Sequence, residues 1–186
     1  MAKRQLRQRM TLQHWELIIV AVTLLTSSVF SFLTLRQTTD HFRIERTSGF
    51  VSRFNSPDMV SLRESVDRWL EAKETAEHLY ARSKEPIVAT DPAASGAQPD
   101  NPAKVLVAQL RTMANYFQEF GTAIKIGSLD ESYAHELLGA VCIRYGNELE
   151  PFIRETRIQR SRPQAYEEVF LLRDRMKILD AQHDIK

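Results

Sequence analysis

Residues 15–35 read WELIIVAVTLLTSSVFSFLTL, and this stretch decides the architecture. Apart from Glu16 at its edge it carries no charge. A helix of ~20 apolar residues at ~1.5 Å rise matches the ~30 Å hydrocarbon core of a bilayer, so the stretch predicts a transmembrane helix. Lys3, Arg4, Arg7 and Arg9 precede it in a basic leader over residues 1–14, Trp15 stands where an indole favours the headgroup level, and Arg36 follows. The apolar run exceeds the ~7–15 residues of a signal-peptide core, and no small-x-small cleavage site precedes Arg36. The cationic side chains near the two ends balance. The acid-free leader favours a cytoplasmic amino end, which on charge alone would put the rest of the chain outside.

Within the span Thr23, Ser27, Ser31 and Thr34 step by four, four and three and fall in one stripe of the helix. Such a stripe suits a self-association seam or, in a ring of several copies, the lining of a pore. The alternative is that each hydroxyl bonds the carbonyl one turn back and needs no partner.

Beyond the span, residues 36–55 are polar with Phe42, Phe50 and Phe54 at near-helical spacing, and predict a stalk that continues the helix. Residues 56–181 predict a soluble bundle of about four helices, interrupted by a mobile loop over 84–101 and followed by a tail at 182–186. Ser56-Pro57-Asp58 is a helix start, with Ser56 as cap and Pro57 at the first helical position. The helix after it carries Met59, Leu62, Val66, Trp69, Leu79 and Tyr80 on one side and is expected to run to about Ser83. The loop, KEPIVATDPAASGAQPDN, holds too little apolar surface to offset its ordering entropy. Asn101-Pro102 opens a helix through Leu106, Leu110, Met113, Phe117, Phe120 and Ile124, with Gly127 as its stop. Ser128 and Glu131 are spaced as a capping box for the next helix, which the short turn would make an antiparallel neighbour. Pro151 predicts a kink or break near Asn147, and Arg162-Pro163 a further one before a last helix ending near Ala181. No strand pattern occurs, so the fold class is all-α.

Composition excludes several functions. Lys and Arg total 25 against 24 Asp and Glu, a formal charge of +1 that lacks the basic excess of an autonomous nucleic-acid binder. The single cysteine, Cys142, permits no internal disulfide and no cysteine cage for zinc. The five histidines show no H-E-x-x-H spacing, and the six glycines form no phosphate-cradling loop, so neither a metal nor a cofactor is expected. Two polar constellations remain. Asn115 and Glu119 lie one turn apart, and Glu119 is expected to pair with Arg144 or Arg157 inside the bundle as a structural ion pair. Arg154, Arg157, Arg160 and Arg162 gather around the helix break and could hold a phosphate-rich ligand such as a nucleotide, RNA or anionic lipid; the alternative is ordinary solvated charge, since Glu150 and Glu155 stand among them.

Residues 115–157, NYFQEFGTAIKIGSLDESYAHELLGAVCIRYGNELEPFIRETR, resemble the central signature of a widespread bacterial family classed as a domain of unknown function. The likeness rests on Asn115, Phe117, Glu119, Gly121, Gly127, Leu129, Tyr145, Leu149, Pro151, Phe152, Ile153 and Arg157, together with the Ser56–Met59 helix start and the single span. It implies a membrane-anchored helical fold and no particular activity. More distantly, the layout is similar to that of the membrane-pore accessory proteins of RNA-targeting type VI CRISPR systems, which implies a cytoplasmic helical domain, a homo-oligomeric ring and a role in antiviral defence. Nucleases of that helical superfamily use R-x(4–6)-H, and Arg36 and His41 match the spacing. Because the pair sits on the stalk, a membrane-anchoring arginine beside a surface histidine is the expected reading, and no catalysis is expected. The expectation is therefore a non-enzymatic, single-pass protein of a bacterial inner membrane, with membrane lipid, further copies of itself and a protein as partners. A membrane-tethered nuclease or a nucleotide- or RNA-binding effector is the alternative.

Overall fold

The computed structural model describes residues 2–85 and 101–183. The expected loop therefore falls almost wholly outside the described residues, as does most of the expected tail. Seven α-helices and no strand occur among the described residues: α1 (Ala2–Phe54), α2 (Pro57–Glu71), α3 (Ala76–Lys84), α4 (Pro102–Lys125), α5 (Glu131–Glu148), α6 (Glu150–Arg160) and α7 (Glu167–His183). The chain divides into two compact units, Met1–Arg43 and Ile44–Lys186.

The first unit is the long helix alone. Ile19–Phe54 contains the one window among the described residues that is long and apolar enough to cross a membrane, and nothing inside the protein buries that window. Two of the four stripe hydroxyls bond one turn back: Thr23 donates to the Ile19 carbonyl at 2.8 Å and Thr34 to the Phe30 carbonyl at 2.9 Å. Thr26 and Ser28, which lie off the predicted stripe, do the same. A hydroxyl bonded one turn back is tolerated by lipid without a partner helix.

The second unit is a bundle whose core is aromatic. Tyr116, Phe117, Phe120 and Phe152 are fully buried with Leu79, Leu110, Met113, Leu149, Ile153 and Met176. The last turns of α1 belong to this core, which corrects the stalk expected over 36–55. Phe54 is 2% exposed and packs on Tyr116, Phe117 and Tyr145, and Phe50 packs on Tyr116 and Phe120. Thr47 is buried and accepts from the Asp130 amide at 3.2 Å, while Tyr116 donates to the Phe50 carbonyl at 2.9 Å. Phe42 stays 55% exposed, so the three phenylalanines that share a spacing do not share a role.

Helix termini follow the sequence at most ends. Ser56 caps α2 and Pro57 opens it; Asn101 caps α4 by accepting from the Ala103 amide at 2.9 Å. Gly127, at φ 68°, ends the α4 segment in the left-handed region that favours glycine. Pro151 falls in the first turn of α6, dividing what would otherwise be one helix into α5 and α6. Three expectations are corrected. The helix expected from Pro57 to Ser83 is two, because Lys73 adopts φ 51° and Thr75 caps a new start by accepting from the His78 amide. Ser128 does not cap α5: its hydroxyl donates to the Ala123 carbonyl, and Asp130 accepts from the Tyr133 amide at 2.8 Å instead. Among the described residues the bundle holds six helices and the end of α1, where about four were expected, and α4 and α5 each meet α7 more broadly than they meet one another.

Candidate functional site

α7 is positioned by two places where glycine lets it come close. A Cβ on Gly121 of α4 would stand 2.6 Å from the Glu168 carbonyl oxygen, and one on Gly146 of α5 would stand 2.7 Å from the Arg173 Cβ. Real Cβ atoms do not approach so closely, so both sites need the missing side chain. Next to Gly121, the Gln118 side-chain oxygen accepts from the Glu168 amide at 3.1 Å, which satisfies one of the free donors at the start of α7. Val169, Leu172 and Met176 then turn into the core.

The opposite side of α7 is left open. With the end of α4 it forms a groove of about 670 Å³, lined by apolar Ile124, Leu171, Leu172, Ile178 and Leu179 beside Gly121. Leu171 is 48% exposed and Ile178 58%. Ion pairs border the groove: Lys125 reaches Glu168 at 2.5 Å, and Arg175 pairs with Glu131 of α5. The hydrogen bond to Glu168 holds the Lys125 ammonium above its ordinary pKa. An open apolar floor with paired charges at its edge suits a protein surface, because the partner's apolar side chains gain burial while the bordering charges already have partners. Nothing in the sequence singled out this groove. The exposed apolar pair seven residues apart, Leu171 and Ile178, is the signal that could have found it.

The residues singled out in sequence are dispersed. Arg36 and His41 are exposed on α1, and five residues of helix turn them ~140° apart, so they do not converge on a common point. Glu119 pairs not with Arg144 or Arg157 but with Arg53 of α1 at 2.7 Å, and both side chains are about half exposed. Asn115 is exposed on the same face of α4. A surface pair of this kind is worth about 0–1 kcal/mol, so the register of the bundle rests on the aromatic core instead. Arg144 serves Asp67 at 2.7 Å and Glu148 at 2.9 Å.

The expected arginine cluster is also rearranged. Arg154 is drawn back to Glu150 at 2.5 Å, and Arg157 donates to the Ala165 carbonyl at 2.8 Å and lies over the Phe170 ring. Arg160 and Arg162 are exposed at the end of α6, where Ser161 takes φ 51° and turns the chain away. Arg111 of α4 was not foreseen beside them; it stands over the Tyr80 ring and, with Arg160, near Tyr166.

Buried chemistry is inert. Burial pushes the Cys142 thiol up to about 12, so it stays protonated and packs as a small apolar side chain. Tyr80 donates to Thr156 at 2.5 Å while Thr156 donates to the Phe152 carbonyl at 2.8 Å, which closes a buried hydroxyl pair. His135 is engaged by Asp180 at 2.7 Å, and no group of three metal-ligating side chains occurs among the described residues.

Fold and groove together define a helical-bundle protein with an amino-terminal helix able to span a membrane. The chain belongs to the family described as Domain of unknown function (DUF4760), which matches residues 18–176 and so takes in the apolar helix, the bundle and most of α7. No curated protein and no solved structure matches the chain.

Proposed function

We propose that the chain is a membrane-anchored assembly module, in which α1 holds the bundle at a bilayer and the α4/α7 groove engages a protein. The observation that carries this reading is the open apolar face of α7, Leu171 and Ile178, on an element whose other side is locked into the core. A helix exposing two large aliphatic side chains over an apolar groove costs solubility unless something covers it. The reading is non-enzymatic; the divergence of Arg36 and His41 on one exposed helix supports this. Its location is the bacterial inner membrane with the bundle in the cytoplasm, as the resemblance implies. A ring of spans conducting through the membrane in a defence response is the finer version, resting on that same resemblance.

Chemical cross-linking in membranes of cells making the full chain tests the core of the proposal. Wild type is expected in complexes larger than one chain, and Leu171→Glu with Ile178→Glu is expected to release monomer while the thermal melt is unchanged. A protein recovered in the aqueous fraction after membrane flotation would overturn the anchoring. Unchanged complexes in the double variant would overturn the groove.

A second reading, that of a phosphate-binding effector, is favoured by one observation. Arg111, Arg157, Arg160 and Arg162 make no ion pair with any described acidic residue, whereas Arg53, Arg144, Arg154, Arg173 and Arg175 all do. Guanidinia with unused donors suit a phosphate-bearing ligand such as a nucleotide or RNA. Titration of the full chain in detergent with a labelled RNA oligonucleotide and with ATP, at low and moderate salt, decides it: binding lost in Arg111→Gln/Arg160→Gln and falling with salt supports the reading, and no binding removes it.

A further inference from the structure

Between the end of α2 and the beginning of α4 lies a second cavity, of about 250 Å³, separate from the α7 groove. Ala72, Pro102 and Leu106 give it an apolar side, and Arg68, Trp69, Glu74 and Gln109 a polar one. Each of these four has hydrogen-bonding capacity that the described residues leave unused. Trp69 is 4% exposed, and its indole N–H, the one polar group of the side chain, is buried with no acceptor. Arg68 gives its Nε–H to the Glu64 carbonyl at 3.2 Å and an Nη2–H to the Ser65 hydroxyl at 3.3 Å, and it pairs with no described carboxylate. Glu74, with its side chain 14% exposed, is engaged through Oε1 alone, by His78 at 2.9 Å and Arg82 at 3.1 Å, so Oε2 is open. The half-buried Gln109 amide has no partner among the described residues. We propose that this cavity binds a free α-amino acid: Arg68 takes its carboxylate, the open oxygen of Glu74 its ammonium, and the Trp69 N–H and the Gln109 amide its remaining polar atoms.

The charges decide the class of ligand. Arg68 and Glu74 border one small space with opposite charge and do not pair with each other. A simple anion entering it would meet the Glu74 carboxylate, and a simple cation the Arg68 guanidinium, whereas a zwitterion satisfies both at once. Size agrees, since the volume lies below the ~300–1,000 Å³ of pockets that take drug-sized ligands. Both charged groups are also oriented in advance: the Glu64 carbonyl and Ser65 hold Arg68, and His78 with Arg82 holds Glu74. The turn at Lys73, between α2 and α3, brings Glu74 back to the cavity that Arg68 borders. Groups fixed before the ligand arrives lose little freedom on binding. A buried donor without an acceptor is rare in a folded protein, and a carboxylate oxygen is what the Trp69 N–H lacks. The cavity involves neither α7 nor the apolar helix, so the proposal stands apart from the assembly reading.

Trp69 is its own reporter. The chain has two tryptophans, so Trp15→Phe leaves Trp69 as the sole indole. The full chain with that change, in detergent, is titrated to millimolar concentration with each standard L-amino acid other than tryptophan and tyrosine, and Trp69 emission is followed. At least one amino acid is expected to give a saturable shift. Its N-acetyl derivative, which lacks the ammonium, and its amide, which lacks the carboxylate, are each expected to bind roughly tenfold more weakly, the loss of one charge-assisted contact. Arg68→Gln and Glu74→Gln are expected to weaken the free amino acid by a similar factor with the ligand-free thermal melt unchanged. Should either charged variant melt early, Gln109→Leu, on a different helix, is the replacement and is expected to weaken binding in the same direction. The proposal is overturned if no amino acid gives a saturable shift, in which case water alone fills the cavity. It is equally overturned if the N-acetyl and amide derivatives bind as tightly as the free amino acid, or if folded variants bind it as wild type does.

Discussion

Gly121 and Glu168 face each other with no room for a methyl group: a Cβ at 121 would lie 2.6 Å from the Glu168 carbonyl oxygen, a backbone atom that cannot rotate away. This is how the start of α7 is set against α4, and it places Leu171 and Ile178 at the groove. Gly121→Ala is therefore expected to destabilise the bundle by about 1–3 kcal/mol through overpacking, read as a lower urea midpoint with unchanged slope. A fully tolerated alanine would mean that α7 docks elsewhere.

Phe54 and Phe42 occupy one helix and predict opposite results. Phe54→Ala removes a ring packed among Tyr116, Phe117 and Tyr145 and should cost about 3–5 kcal/mol. Phe42→Ala, at an exposed position, should change bundle stability by less than about 0.5 kcal/mol. Equal effects in thermal melts would restore residues 44–54 to a stalk.

The buried Tyr80–Thr156 pair should show coupling. Thr156→Val strands the Tyr80 hydroxyl and is expected to cost about 1–3 kcal/mol. Tyr80→Phe in the same chain removes the stranded donor, so the double variant should lose less than the two singles summed; the cycle is measured by denaturant unfolding.

Glu150 predicts the acid limb of stability. The hydrogen bond from Arg154, followed by that from Arg173, holds its carboxyl below the ordinary value, against the opposing effect of burial. A carboxylate depressed in the folded state binds protons more readily when unfolded. Its contribution is therefore complete above about pH 4.5 and is lost as pH falls through the lower folded value. Glu150→Gln should lower the midpoint at neutral pH by roughly 1 kcal/mol or less, and the difference from wild type should vanish in acid. A constant difference at all pH would assign the loss to packing.

Much of the fold was legible because its signals are local. The apolar run at 15–35 needs only hydropathy and length; Ser56-Pro57, Asn101-Pro102, Gly127 and Pro151 act through the dihedral angles and amides of their own neighbours. Where a local signal had competition, it was misread. Ser128 and Asp130 both can cap, and the choice fell to Asp130 because its own amide is held by Thr47 of a distant helix. The α2/α3 break was hidden because Lys73, the residue that turns the chain, has no special preference for a left-handed conformation, and the apolar spacing runs on through it.

What the sequence determined by itself is an apolar rod followed by amphipathic helices, since period, length and caps are properties of neighbouring residues. Only the tertiary structure decided which charged groups meet. Glu119 found Arg53 rather than Arg144 or Arg157, and Arg157 turned to the Ala165 carbonyl, because pairing of long side chains depends on helix crossings that no local pattern encodes. The groove belongs to the same category: it exists where α4 and α7 part company above Gly121, and a surface shared by segments some fifty residues apart is formed by packing alone.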